Sequence, residues 1–389
     1  MNNKILFVFG TRPEAIKMVP LIKKMTEDEF FDVKVCVTGQ HRKMLDQVLS
    51  FFDVKPDYDL ELMKVNQTLV DITVDVLKGV DAIIREGFKP DFVVVQGDTT
   101  TAMAGALAAF YSKAKVIHLE AGLRSYDKYS PYPEEINRML VGKIADLHFA
   151  PTPKAVENLL AEGVDSNCVW NVGNTVIDAL LLGLEMIKKQ NVSVYDDYFS
   201  FIDKSKKIIL VTGHRRENFG EPFENICKAL KAIADKNPDV EIVYPVHLNP
   251  NVREPVDRIL KDTPRIHLIE PLDYSHLIWL LNISHLVITD SGGIQEEAPA
   301  LGKPVLVMRE VTERMEGVEA GTAKLVGTSC ENIIAECQEL LSNDIIYDKM
   351  AKSVNPYGDG TTSIQVVSIL KELFLSSSEQ LVCVVTQKA

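Results

Sequence analysis

Short runs of β-branched and apolar residues recur along the chain, each closing on a Gly, Asp or His cluster and each followed by a helical stretch. Parallel strands need a long crossover, usually a helix, so this alternation points to parallel sheets covered by helices. In the first half the runs are 4–9, 32–37, 91–95, 115–119 and 146–149; in the second they are 207–211, 240–244, 265–269, 285–289 and 304–308. The pattern restarts midway. Val8-Phe9-Gly10-Thr11-Arg12-Pro13-Glu14 is answered by Val211-Thr212-Gly213-His214-Arg215-Arg216-Glu217, so each half opens with a strand, a Gly and an Arg. The expectation is an α/β protein of two Rossmann-like domains, 1–172 and 173–360, joined near 172–179. Its length of 389 residues suits two domains at roughly 150 residues each. Pro13 starts the first helix in its favoured first turn. A last helix, about 361–375, is expected to pack back on the first domain. The tail 376–389 ends in Leu381-Val382-Cys383-Val384-Val385, for which there is no physical account.

A net charge of -13 argues against nucleic-acid binding, which relies on many Lys and Arg contacts to phosphates. Residues 1–10 read as a buried strand and carry no signal-peptide cleavage pattern. No apolar run reaches the ~18 residues of a membrane span, so the chain is expected to be cytoplasmic, with no membrane partner. The six cysteines, at 36, 168, 227, 330, 337 and 383, form no C-x-x-C pair. They read as reduced thiols.

In open parallel sheets ligands sit beyond the carboxyl ends of the strands. The residues there are unusually polar: Arg12, Gln40, His41, Asp98, Glu120 and Arg124 in the first half, and 214–217, His247, 290–293 and 309–314 in the second. Each alone could be a cap or a surface charge; as a set they converge on one edge of each sheet. Ser291-Gly292-Gly293 follows a strand and opens a helix, offering free N–H groups to a diphosphate. Glu297, four residues after Gly293, shares its helix face and suits ribose hydroxyls. Close helix packing would ask for the same glycines.

Neither half carries G-x-G-x-x-G or a P-loop, so dinucleotide and P-loop readings lose their support. Gly358-Asp359-Gly360 follows no strand and reads as a cap. His118-Leu119-Glu120 imitates the H-x-E of zinc deaminases but has no P-C-x-x-C partner, and Asp57-Tyr58-Asp59 beside Pro56 reads as a solvated turn. No metal and no cofactor are expected. Asp98, Glu120, Glu134 and His214 remain, and paired acidic groups are the usual equipment for moving protons.

These motifs resemble one family throughout, the non-hydrolysing UDP-N-acetylglucosamine 2-epimerases of bacteria. The resemblance runs from Phe9-Gly10-Thr11-Arg12-Pro13-Glu14-Ala15-Ile16-Lys17 through Gln96-Gly97-Asp98-Thr99-Thr100-Thr101, Glu120-Ala121-Gly122-Leu123-Arg124, Gly213-His214-Arg215-Arg216-Glu217-Asn218 and Asp290-Ser291-Gly292-Gly293-Ile294-Gln295-Glu296-Glu297 to Asn355-Pro356-Tyr357-Gly358-Asp359-Gly360. It implies a GT-B-like architecture, two Rossmann-like domains facing across a cleft, and a homodimer. It implies reversible conversion of UDP-GlcNAc to UDP-ManNAc for cell-surface polysaccharide, by loss of UDP to give 2-acetamidoglucal and re-addition on the other face. Asp98, Glu120 and Glu134 match the family's acid/base carboxylates, without a division of the proton transfers among them. His214 matches a histidine near the phosphates. Arg12, Lys17, Ser291, Gly292, Gly293 and Arg314 match diphosphate or UDP contacts, and Leu272 and Leu277 align with the uracil pocket.

Members activated by a second substrate molecule carry Gln and Arg where this chain has Lys43 and Asn66, while Gln40, Arg215 and His247 match that second site. Two rival readings share the nucleotide clamp. A glycosyltransferase would need an acceptor, and a hydrolysing epimerase would release free ManNAc and UDP. A catalytically silent sugar-nucleotide sensor is disfavoured, because Asp98, Glu120, Glu134 and His214 are all present together.

Overall fold

The computed structural model describes residues 3–39, 42–64, 67–189 and 192–380. Gln40, His41, Asn66, the side chain of Lys43 and the apolar end 381–385 lie outside the described residues.

The first sheet contains β1 (Asn3–Phe9), β2 (Phe31–Val37), β3 (Tyr58–Asp59), β4 (Phe92–Gln96), β5 (Lys115–Leu119), β6 (Leu147–Ala150) and β7 (Val169–Asn171). Their order is β3-β2-β1-β4-β5-β6-β7, and every pairing is parallel. The second contains β8 (Lys207–Thr212), β9 (Val240–Pro245), β10 (Ile266–Ile269), β11 (Leu286–Thr289), β12 (Val305–Val307) and β13 (Ala323–Leu325), in the all-parallel order β10-β9-β8-β11-β12-β13. Both are α/β sheets of the doubly wound kind. Central strands are apolar on both faces, as a sheet covered twice requires: Ile5 to Phe9 are fully buried, and so are Ile209 to Val211.

All ten strands read from the sequence are present. The three unread strands, β3, β7 and β13, are sheet edges of two or three residues. Asp57-Tyr58-Asp59 is a correction: it is the edge strand β3 and its approach, not a solvated turn. The Asp57 carboxylate accepts from the backbone N–H of Val35 at 2.9 Å and from Lys34 Nζ at 2.7 Å, which seats the strand on β2.

Contacts group the chain into two compact units, Met1–Ala179 with the segment that begins at Gly358, and Leu180–Tyr357. The last helix, Thr362–Gln380, is tied to the first unit by Thr362 Oγ1 donating to the Val172 carbonyl at 2.9 Å and by the Ser363 N–H donating to Asp178 at 2.7 Å. Phe374 on this helix packs on Phe92 with ring centroids 4.7 Å apart, and Lys371 pairs with Asp28.

In each sheet the chain winds outward in both directions from one pair of neighbours, β1 with β4 and β8 with β11. Crossovers on the two sides of such a pair run to opposite faces and leave a crevice at the carboxyl ends. Gly10 to Arg12 and Gly97 to Thr99 follow β1 and β4; Gly213 to Arg215 and Asp290 to Gly292 follow β8 and β11. Among the described residues no helix is long and apolar enough to cross a membrane. Cys36, Cys227, Cys330 and Cys337 are free thiols. Cys383 lies outside the described residues.

Candidate active site

At the first crevice a buried carboxylate fastens the two strand ends together. Glu14, in the first turn of helix Arg12–Thr26, accepts from the N–H groups of Gly10 at 3.1 Å and Thr11 at 2.8 Å, and from Thr99 Oγ1 at 2.6 Å. Burial raises its pKa, and these hydrogen bonds work against the rise. The sequence held the signal: Thr11 and Glu14 are spaced as a capping box. Arg12 is thereby fixed as the first residue of its helix, half-buried at the strand end.

The three candidate carboxylates occupy three different settings. Asp98 is one-quarter exposed, and one of its oxygens takes Arg138 Nε at 2.8 Å and Nη2 at 2.7 Å. Its carbonyl accepts from Asn137 Nδ2 at 2.9 Å. Arg138 also reaches Glu135 at 3.0 Å. Glu120, just past β5, has a left-handed backbone with φ 57°, and one carboxylate oxygen meets both Lys17 Nζ and Gln96 Nε2. Glu134 is the first residue of helix Glu134–Ile144, and its Oε2 is buried without a hydrogen-bond partner. Lys17, expected to meet UDP, is thus engaged with Glu120. Arg138 and Gln96 were missed as partners. Arg124, counted among the polar strand-end residues, is a structural brace: almost fully buried, it forms a two-armed bond with Glu162 at 2.6 and 2.8 Å.

His118 stands behind this site as a neutral support. Its Nε2 donates to the Gly97 carbonyl at 2.8 Å, and burial, reinforced by His148, pushes it down to about 3. Burial likewise pushes His148 down to about 4. Both pKa values lie below the unfolded 6.5. The unfolded chain therefore takes up protons first, and stability that is intact above pH 6.5 drains away as the pH falls toward 4. Urea unfolding followed from about pH 7 to pH 5 should show a loss of about 2 kcal/mol per histidine, about half of it removed by His118→Gln. An unchanged midpoint would contradict this account.

The second crevice repeats the device with the roles exchanged. Asp290, fully buried at the end of β11, accepts through Oδ2 from the N–H groups of His214 and Arg215, both at 2.8 Å, and from Asn218 Nδ2 at 3.4 Å. The His214 ring is about half exposed and stacks on His247, with centroids 5.1 Å apart and planes 14° from parallel. Ser291 caps helix Gly292–Ala300 with an extended backbone, and Gly293 at its start is exposed. A Cβ on Gly292 would lie 3.3 Å from Glu313 and about 4 Å from the Arg215 and Arg314 guanidinium groups. Positive charge and a helix N-terminus therefore meet at one point, which suits a diphosphate.

Glu313 lies among these arginines, 3.4 Å from Arg215 and 2.6 Å from Arg309. Burial opposes its charge, but Arg314 first and Arg309 after it bring the carboxyl down to about 2. Arg314 also pairs with buried Glu296. Glu297 is buried and accepts from Tyr274 Oη at 3.0 Å. Tyr274 begins the helix Tyr274–Ile283 that carries Leu277, with Leu272 two residues before it; both leucines are half-buried. Of the residues matching a second substrate site, Arg215 and His247 flank His214 in this unit, and Gln40, Asn66 and the side chain of Lys43 lie outside the described residues. Among the described residues no group of three His, Cys, Asp or Glu side chains is arranged to hold a metal ion.

A family model described as UDP-N-acetylglucosamine 2-epimerase matches residues 23–371. The chain belongs to this family. A UDP-N-acetylglucosamine 2-epimerase of Campylobacter jejuni is 55% identical over 377 residues, which are 95% of this chain and 98% of the relative. The crystal structure of the Neisseria meningitidis UDP-GlcNAc 2-epimerase bound to UDP-GlcNAc superimposes with a TM-score of 0.88 at 50% identity, covering 95% of this chain and 100% of the other. The glycotransferase of kitacinnamycin, at 11% identity and a TM-score of 0.62, shares the fold alone and marks it as GT-B-like. Membership makes the chain an enzyme of the isomerase class.

Proposed function

We propose that this 2-epimerase family member interconverts UDP-GlcNAc and UDP-ManNAc by eliminating and re-adding UDP. What supports the reading is the pair of crevices: the carboxylates Asp98 and Glu120 follow neighbouring strands at the first, and arginines lie beside a helix N-terminus at the second. The proton on sugar C2 is not next to a carbonyl, so a base removes it only as the C1–oxygen bond breaks. UDP leaves with that electron pair, and 2-acetamidoglucal remains. Return of UDP to C1 and of a proton to the opposite face of C2 completes the epimerisation. Developing charge on UDP is met by preorganised donors, which is where such sites stabilise a transition state most.

In this reading Asp98, Glu120 and Glu134 move the protons, and His214 with Arg12 and Arg314 meets the diphosphate. Ser291, Gly292 and Gly293 offer backbone N–H groups, Leu272 and Leu277 meet uracil, and Glu297 the ribose. The enzyme works in the cytoplasm and supplies ManNAc units for surface polysaccharide. It does so as a homodimer. Three neighbouring helices of the first unit, Leu69–Ala82, Thr100–Tyr111 and Glu134–Ile144, leave Val70, Phe110, Met139 and Leu140 exposed, an apolar face of the kind that a second copy covers.

The test is incubation with UDP-GlcNAc alone in D2O, followed by NMR. UDP-ManNAc bearing deuterium at C2 is expected. Free ManNAc would establish hydrolysis instead, no reaction without an acceptor would favour transfer, and retention of the original hydrogen would exclude elimination.

A further inference from the structure

The carboxylate of Asp290 has two oxygens in unlike settings. Oδ2 is saturated, taking two backbone N–H groups and Asn218 Nδ2. Oδ1 is buried, has no hydrogen-bond partner, and lies 3.7 Å from His214 Nδ1. A buried carboxylate oxygen left unpartnered costs free energy, and anionic oxygens at that depth are ordinarily matched. Here the nearest candidate is the imidazole itself, a few tenths of an ångström beyond bonding distance, as such contacts commonly are before a ligand tightens them. His247 stacks on the face of the His214 ring, and His247 Nδ1 accepts the Asn249 N–H at 3.1 Å.

We propose that Asp290 is the positioning residue of His214: when UDP binds, Oδ1 takes the Nδ1–H, fixes the ring as an imidazolium and turns Nε2 toward the diphosphate. The inference rests on the reading of His214 as the group that meets UDP. It assigns Asp290 a second task beside its brace of the turn. One oxygen holds the backbone and the other sets the proton, so the loop that carries the histidine and the histidine's charge depend on one side chain. The chemistry is the general one in which the hydrogen bond at one imidazole nitrogen decides what the other presents.

The test is a double-mutant cycle on full-length enzyme converting UDP-GlcNAc. Asp290→Asn keeps an acceptor for the backbone but loses the charge. It should lower kcat about 10- to 100-fold, the scale on which loss of the hydrogen-bond partner that orients a metal-bound histidine is felt, and leave KM within about threefold. In a His214→Asn background the same change should lower kcat less than about twofold, because its target is gone. Equal losses in both backgrounds would reduce Asp290 to a structural brace and overturn the proposal. If Asp290→Asn does not fold, the wild-type enzyme still answers: 15N-histidine NMR with saturating UDP should show the His214 ring protonated at Nδ1, and a ring protonated at Nε2 alone would overturn it. Failure of the wild-type enzyme to form UDP-ManNAc would instead overturn the epimerase reading, and normal turnover by His214→Asn would overturn the role of the histidine. The three failures are separable.

Discussion

Asp98→Asn is expected to lower kcat about 10²- to 10⁴-fold, the range over which a positioned acid or base contributes, while UDP binding changes less than about threefold. The structure explains why the loss should fall on turnover. The Asp98 side chain is one-quarter exposed and held by two arms of Arg138 at the edge of the first crevice. Asparagine preserves its shape and leaves the Asp98 carbonyl to Asn137, but it cannot accept a proton. Arg138 retains Glu135 as a partner, so the variant does not strand a buried charge. Of the two arginines proposed for UDP, Arg314 belongs to the second unit and is paired with Glu296 of that unit. Steady-state kinetics with calorimetric titration of UDP checks both halves. Turnover within about threefold of wild type would remove Asp98 from the proton transfers.

How much of this was legible before the structure depended on how local each signal is. β1, β4, β8 and β11 announce themselves, because a strand buried on both faces is written as a continuous apolar run. The polar residues just past them follow from the same reading, and the motifs that follow β1, β4, β8 and β11 fall at the two points where the sheets change winding direction. What stayed hidden is what needs long-range pairing. Arg138 sits three residues after Glu135 and reads as an ordinary surface pair on a helix, yet it grips Asp98, forty residues earlier in the chain. Arg124 was grouped with the site because it ends a strand motif, and Glu162, thirty-eight residues on, draws it away. Asp290 was visible only as a polar strand end. That its two oxygens divide their work could not be read from the sequence, since that depends on where β8 lies beside β11.

Gly122 marks the opposite case, a motif residue whose contribution is steric. In Glu120-Ala121-Gly122 the Glu carries chemistry, and the Gly lets a helix approach. The Gly122 backbone has φ 91°, and a Cβ there would stand 2.2 Å from the Ala155 carbonyl oxygen and 2.8 Å from its carbon. Backbone atoms of helix Pro153–Ala161 cannot move aside as a side-chain tip can, and the Gly122 carbonyl is also held by Asn158 Nδ2 at 2.9 Å. Gly122→Ala must therefore displace the helix or distort the turn that presents Glu120, and it is expected to cost about 4 kcal/mol or more, the range reserved for frank steric conflict. At about 2–4 °C per kcal/mol for a unit of this size, the melting temperature should fall by about 10 °C. Gly163→Ala separates conformational strain from collision. It shares a positive φ of 85°, but nothing lies within 4 Å of its Cβ. Strain alone should cost it about 1–2 kcal/mol. Thermal melts of the two variants should differ accordingly, with the activity that survives in Gly122→Ala falling alongside its fold. Equal melting temperatures would mean that the Pro153–Ala161 helix yields, and that the glycine of this motif is kept for its backbone angle alone.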